Sequence, residues 1–469
     1  MPLISLLCTF AHNTYQKCEY SHILDMKNVK AMFIREITKD LINWKSAKNR
    51  KPLIVHGARQ VGKTWILKYF GKEYFEDIAY FSLDKDESGL CDIFKTTKDP
   101  KRILEQLSFL HGRKINPQST LLILDEIQEC NEALNALKYF CEETPEYAVI
   151  CAGSLLGIYL NHIGNSFPVG KVDHMYMYPL TFTEFLQTKD QNMYGYMCSI
   201  DKIEPLPQIF YDKLKESFIA YSICGGMPEP ATLMLDFNNM EKVDNSLQNI
   251  LNDYTMDFVK HTTPALAPRI NYIWNSLPSQ LAKENRKFIY QLVRPGARAR
   301  EYEDAIFWLQ QAGLVNRVTL CKTPKLPLKA YDDLSTFKLY TLDVGLLRRL
   351  SELDASILLT PSPNYIEYKG ALAENYILQS LTVQFQSSFR YWTSGNKAKI
   401  DFLLQFDNQI YPIEVKADQN TTGKSLIQYE KRFSPQYRIR YSMLNLKQDG
   451  NLINIPLFLA DKTKEFLRK

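Results

Sequence analysis

Residues Gly57, Ala58, Arg59, Gln60, Val61, Gly62, Lys63 and Thr64 fit the pattern G-x-x-x-x-G-K-[ST]. The glycines let the backbone curl so that successive amides point at one anion. A helix starting at the lysine adds its positive N-terminal end. Lys63 is then suited to the β- and γ-phosphates of a nucleotide, and the Thr64 hydroxyl to Mg²⁺. A second site for that ion lies in TLLILDEIQE, where an apolar run meets Asp125 and Glu126. A strand ending there brings both carboxylates to the carboxyl edge of a sheet, where open α/β sheets bind ligands. Asp125 would hold Mg²⁺ through water, and Glu126 would polarise the attacking water. The next apolar run ends in Cys151-Ala152-Gly153-Ser154. Ser154 either senses the γ-phosphate, or N-caps the following LLGIYL, or does both. Phosphoryl transfer to water needs one more positive charge. Arg59, Lys171, Arg294, Arg298 and Arg300 are candidates, and their spacing selects none of them.

These residues need a scaffold. From 52 to about 190 the chain alternates strands and helices: PLIVHG, then GKTWILKYFGKEYF; IAYFSLD, then KRILEQLSFLHGR; TLLILDE, then EALNALKYFCEE; and YAVICAGS. Apolar strands between helices predict a parallel sheet covered on both faces. A helix is also expected after Met32. From about 190 the pattern turns helical. The helix REYEDAIFWLQQAG and the strands LVNRVTLCK and FKLYTLD follow. After about 365 come the helix GALAENYILQSL, the strands FRYWTS, AKIDFLLQF and QIYPIEVKA, and the helix KSLIQYEKRF. The expected divisions are 1–31, a poorly ordered extension or a start placed too early; 32–190; 191–264; 265–360; and 361–469.

Composition narrows the class. A chain of 469 residues exceeds one compact core. Apolar content of 45% and charged content of 23% suit a soluble globular protein. The longest apolar runs are too short for a transmembrane helix, and the N-terminus lacks the basic region of a signal peptide. Nine cysteines without a C-x-x-C pair indicate neither a disulfide framework nor a zinc site, so a reducing cytoplasm is expected. From Pro361 onward, 15 Lys and Arg face 10 Asp and Glu, so the whole excess of +5 lies in that segment. A mildly basic terminal region is compatible with nucleic acid.

The ordered set GARQVGKTW, LLILDEIQE, CAGSLLG, FPVGKVDHMYMYPLTFTEFL, YEDAIFWLQQAGLV, FKLYTLDVGLL, GALAENYIL, YWTSGNKAKIDFLL and PIEVKA resembles prokaryotic AAA-type ATPases whose P-loop domain precedes a C-terminal domain of unknown function. The resemblance runs from about Met32 to about Leu446. It implies an α/β fold: a P-loop NTPase core with a parallel sheet, a helical lid, a winged-helix-like middle and a C-terminal restriction-endonuclease-like domain. It also implies adenine as the base, and no guanine-specifying N-K-x-D element is seen. Lys171 stands where many relatives carry Arg, and Lys lacks the planar fork of Arg.

The C-terminal pair of strands has its own geometry. Asp407-Asn408 is a two-residue hairpin turn. Pairing 406 with 409 sets Asp401 opposite Glu414, with Lys416 on the same face and Lys399 opposite it. Opposed carboxylates destabilise a sheet, and a divalent cation would offset them. The arrangement resembles the PD-(D/E)XK nuclease core, with Asp401 and Glu414-Val415-Lys416 in the motif positions and Glu374 as the preceding acidic residue. That resemblance implies Mg²⁺ on the carboxylates and a water activated with the help of Lys416. Gln428 would face nucleic acid. Lys399 departs from relatives that often have an acidic residue there. In a winged-helix reading, Arg294, Arg298 and Arg300 would meet phosphates.

The chain is thus expected to be a cytoplasmic, Mg-dependent ATPase coupled to a nucleic-acid-directed module. The alternatives are a slow-turnover switch that recruits a protein, with a catalytically silent C-terminal domain, and a nuclease gated by the ATPase. DNA is a candidate partner. A membrane is not, and a homo-oligomer is compatible.

Overall fold

LIVH, TLLILD and AVICAG carry apolar residues at odd and even positions alike, so each strand must be covered on both faces. The computed structural model describes residues 32–84, 89–154, 168–359, 366–395, 398–417 and 423–468. The expected extension at 1–31 and the segment LLGIYL lie outside the described residues. Strands β1 (Leu53–His56), β2 (Asp77–Ser82), β3 (Thr120–Asp125), β4 (Ala148–Gly153) and β5 (Asp173–Tyr176) form a parallel sheet in the order β2-β3-β4-β1-β5. The period of two sorts their side chains. Leu53, Val55, Leu121 and Ile123 enter one core with Ile66, Leu67 and Phe70 of helix Lys63–Tyr74. Ile54, Leu122 and Leu124 enter a second core with Leu134 and Leu137 of helix Asn131–Glu143. Strand β5, from DHMY, is absent from the strands the sequence predicts. It is a short edge strand with two exposed positions, His174 and Tyr176, so it carries almost no apolar signal.

Helices Gln208–Cys224, Pro228–Phe237, Met240–Lys260 and Ala267–Leu281 follow. In Met240–Lys260, the residues Val243, Leu247, Ile250, Leu251, Tyr254 and Phe258 recur at helical spacing and are buried. Asn239 caps this helix by accepting from the Lys242 amide (3.0 Å). Helix Ala299–Gln311 buries Tyr302, Ala305, Ile306, Trp308 and Leu309, and Trp308 meets Phe258 edge-on at 5.4 Å. Trp308 is therefore core, whereas the neighbouring Phe307 is half exposed.

The remaining strands are β6 (Val315–Cys321), β7 (Asp332–Thr341), β8 (Arg390–Thr393), β9 (Lys399–Phe406), β10 (Gln409–Val415), β11 (Arg438–Ser442), β12 (Lys447–Asp449) and β13 (Leu452–Pro456). They make one mixed sheet in the order β12-β13-β11-β10-β9-β8-β6-β7. Strand β6 pairs in parallel with β8, Thr319 beside Arg390 and Leu320 beside Tyr391. The sheet therefore crosses the border expected at 360/361. Strands β11 to β13 go beyond the predicted set. RIRYS carries two arginines in five residues, which hides its apolar alternation. Among the described residues, no helix is long and apolar enough to cross a membrane, and the described cysteines are free thiols.

Candidate functional site

Strand β1 sits between β4 and β5, and the 57–64 loop leaves its carboxyl end. Gly57 takes φ +155°, and a Cβ there would strike the Met177 carbonyl. Gly62 takes φ +94°, a left-handed conformation that favours glycine. The Lys63 ammonium folds back to donate to the carbonyls of Gly57 (2.9 Å) and Ala58 (2.8 Å). Burial pushes its pKa down to about 8, against the opposing pull of Glu126 and Asp125. Thr64 Oγ1 reaches past β4 and donates to Asp125 Oδ2 at 2.7 Å. Tyr80 OH donates to the same oxygen at 3.0 Å. Burial, then Asp125, pushes the Tyr80 phenol up to about 12, so it stays a donor.

Glu126 takes a left-handed backbone, φ +50° and ψ +48°. Its Oε2 accepts from Gln128 Nε2 at 2.6 Å and from Ser154 Oγ at 3.4 Å. The structure thus gathers Lys63, Thr64, Asp125, Glu126 and Ser154 at one sheet edge. Ser154 belongs here because β4 lies between β1 and β3.

Two side chains of the loop point elsewhere. Arg59 forms an ion pair with Asp257, and Gln60 Nε2 donates to Asp253 Oδ2 at 2.6 Å. Tyr254 OH donates to the Arg59 carbonyl at 2.9 Å. All three partners lie on helix Met240–Lys260. From behind, Arg35 donates to the Val61 carbonyl (3.0 Å) and to Glu184 (3.2 Å). Glu184 closes a capping box with Thr181 at the start of helix Phe182–Lys189. The PLTFTEF segment therefore braces the loop through Arg35. Lys171 pairs with Glu142 at 2.8 Å. Arg294, Arg298 and Arg300 are exposed at the entry to helix Ala299–Gln311.

The β9–β10 hairpin turns at Asp407 and Asn408, both at positive φ, and 406 pairs with 409. Glu374, Asp401 and Glu414 are all buried. Their surroundings are cationic. Glu374 Oε1 meets Arg286, and Lys399 at 3.7 Å; Oε2 accepts from Tyr340 (2.6 Å), with Lys338 at 3.7 Å. Asp401 Oδ1 lies 3.2 Å from Lys399 and 4.0 Å from Lys338, and Oδ2 accepts from the Val415 amide at 2.9 Å. Lys416 pairs with Glu414 Oε1 at 3.2 Å, and Glu414 Oε2 is buried without a hydrogen-bond partner. Burial raises the Glu374 pKa, but Arg286, Lys399 and Lys338 outweigh it and hold the group well below the usual carboxylate range. Burial, then Lys399, pushes Lys338 down to about 7. Gln428 is exposed on helix Lys424–Phe433.

Sequence reasoning missed Arg35, Tyr80, Gln128, Asp253, Asp257, Arg286 and Lys338. Apart from Gln128, inside the quoted strand motif, they carry no short-range signal, because their partners are dozens to hundreds of residues away.

Residues 49–186 match the family model of an AAA domain. Residues 215–357 and 369–458 match two domains of unknown function, DUF8612 and DUF4143. No curated protein matches the chain. Among solved structures, a Walker-type ATPase of Pyrococcus abyssi is similar at 15% identity, covering 70% of this chain and 99% of its own, with a TM-score of 0.41. The Aeropyrum pernix ORC2 protein in ADPNP–ADP complexes is similar at 13% identity over 71% of this chain and 96% of its own, with a TM-score of 0.34. The Aeropyrum pernix ORC1 protein in complex with DNA follows at 12% over 71% and 96%, with a TM-score of 0.29. The match to the AAA domain model spans the 57–64 loop, Asp125, Glu126 and Ser154.

Proposed function

We propose that the chain binds Mg-ATP at the 57–64 loop, hydrolyses it slowly, and uses the occupied state to reposition helix Met240–Lys260. The observation that carries this reading is the Thr64–Asp125 hydrogen bond beside Lys63. It sets a hydroxyl and a carboxylate side by side where one Mg²⁺ needs both. Mg²⁺ held this way uses few protein ligands and completes its shell with phosphate and water, so the two residues fit. The ion supplies charge neutralisation on the phosphates. The loop amides of 58–64 bind the phosphates, and Lys63 exchanges its backbone carbonyls for phosphate oxygens. Glu126, oriented by Gln128 and Ser154, takes the proton of the attacking water.

The switch reading has a specific support. Arg59 and Gln60, inside the phosphate loop, bond directly to Asp257 and Asp253. Phosphates compete with those carboxylates for the same donors, so binding loosens the helix. Hydrogen exchange of residues 250–260 with and without Mg-ATP tests this. Faster exchange with nucleotide supports it, and an unchanged rate removes the helix from the mechanism.

A nucleic-acid-directed role rests on the exposed Arg294, Arg298 and Arg300. DNA binding that weakens steeply with salt, and whose salt slope falls when these arginines are changed, would favour it.

A further inference from the structure

The nuclease-like resemblance implies a divalent metal among Glu374, Asp401 and Glu414, and the side chains around them decide whether it fits. A nuclease metal needs open carboxylate oxygens at about 2.0–2.6 Å. Both oxygens of Glu374 and both of Asp401 already face donors of the chain, and Glu414 Oε1 faces Lys416. The one oxygen without a hydrogen-bond partner is Glu414 Oε2. Among the described residues, no group of three or more His, Cys, Asp and Glu is arranged to hold a metal.

Charge points the same way. Glu374 and Asp401 bring two negative charges, Arg286 and Lys399 bring two positive ones within ion-pair reach, and the Lys338 amine lies beside both carboxylates. A divalent ion 4 Å from one ammonium meets a repulsion on the order of 8 kcal/mol at an effective dielectric of about 20. Two carboxylates already matched by two positive charges offer no net attraction to set against it.

The cations also come from informative places. Arg286 follows helix Ala267–Leu281, and Lys338 lies on β7, fully buried. Both belong to the segment before 360, whereas Glu374, Lys399 and Asp401 belong to the segment after it. The ion pairs therefore tie two stretches of chain across one sheet.

We infer that the Glu374–Asp401–Glu414 cluster is neutralised by the chain's own cations, takes no divalent metal, and fastens the β6–β7 hairpin to the C-terminal strands. Lys399 and Lys338 stand in the role a metal plays in a nuclease. The cluster is a joint and not a phosphodiester-cleaving centre.

The test is Mn²⁺ titration of the full-length, nucleotide-free protein followed by electron paramagnetic resonance, with Asp401→Asn and Glu414→Gln alongside. Glu414→Gln keeps the shape of the side chain, so it reports even if Asp401→Asn does not fold. The expected result is the same Mn²⁺ binding curve for the native chain and Glu414→Gln, with no Mn²⁺-dependent cutting of DNA. A Mn²⁺ site lost in Glu414→Gln or in folded Asp401→Asn would overturn the inference. So would Mn²⁺-dependent DNA cleavage abolished by either change.

Discussion

Asp125 and Glu126, at the carboxyl end of β3, and Glu374, Asp401 and Glu414, where a helix meets the central strands β9 and β10, are two carboxylate clusters separated by the charge of their partners. Asp125 and Glu126 accept from Thr64, Tyr80, Gln128 and Ser154, all neutral donors. The nearby Lys63 spends its protons on backbone carbonyls. The negative charge of that cluster stays available for a cation. Glu374, Asp401 and Glu414 are met by Arg286, Lys338, Lys399 and Lys416. Their charge is already answered. Under the proposed function, the same residue types support chemistry in one place and a joint in the other. The deciding feature is who donates the hydrogen bond, and a motif of carboxylates alone does not contain it.

The largest expected effect is on nucleotide affinity. Lys63→Ala removes the cation that meets the phosphates, and ATP binding should weaken by about 100-fold or more, as charged hydrogen bonds in a buried site imply. Calorimetric titration with Mg-ATP measures it, and near-native affinity would break the assignment of the loop. Next is Glu126→Gln. ATP should bind within a few-fold of native while turnover falls by about 100-fold or more, the usual contribution of a positioned base.

At the second cluster the expected effects are on stability. Arg286→Gln leaves Glu374 buried with less compensation and should cost about 3 kcal/mol, read from denaturant unfolding. Native-like stability would mean that the joint does not depend on that ion pair. Lys338 gives a pH signature. Its folded pKa, pushed down to about 7 by burial and then by Lys399, lies below the ordinary value of 10.5. Between these values the unfolded chain binds the proton more readily, so stability rises as pH increases from about 7 towards 10.5. The gain from pH 7 to 9 is at most about 2 kcal/mol, and Lys338→Met should flatten the rise relative to the native chain. The smallest effect is at Asp257. Its pair with Arg59 is half exposed on the arginine side, where such contacts give about 1 kcal/mol or less. Asp257→Asn should therefore raise ATP affinity by no more than about 5-fold, and a loss of affinity would contradict competition between the helix and the phosphates.

Local features were legible in the sequence. The glycine-lysine loop, the strand end at Asp125 and the turn at Asp407-Asn408 each depend on neighbours within a few residues. The hairpin arithmetic follows from the period of two alone. What lay out of reach was long-range. Asp257 meets Arg59 across 198 positions, and Arg286 meets Glu374 across 88. No spacing rule links such residues. The prediction that opposed carboxylates need a compensating charge was sound physics, but a sequence cannot say whether a metal or a lysine supplies it. The pairing of β6 with β8 across residue 360 was equally out of reach, because parallel partners can be any distance apart along the chain.

The most direct measurement is Mg-dependent ATP turnover by the native chain, Glu126→Gln and Glu414→Gln, side by side. Placing the chemistry at the first cluster predicts turnover in the native chain, its loss in Glu126→Gln, and native turnover in Glu414→Gln. Turnover that survives Glu126→Gln, or that disappears in Glu414→Gln, would contradict it.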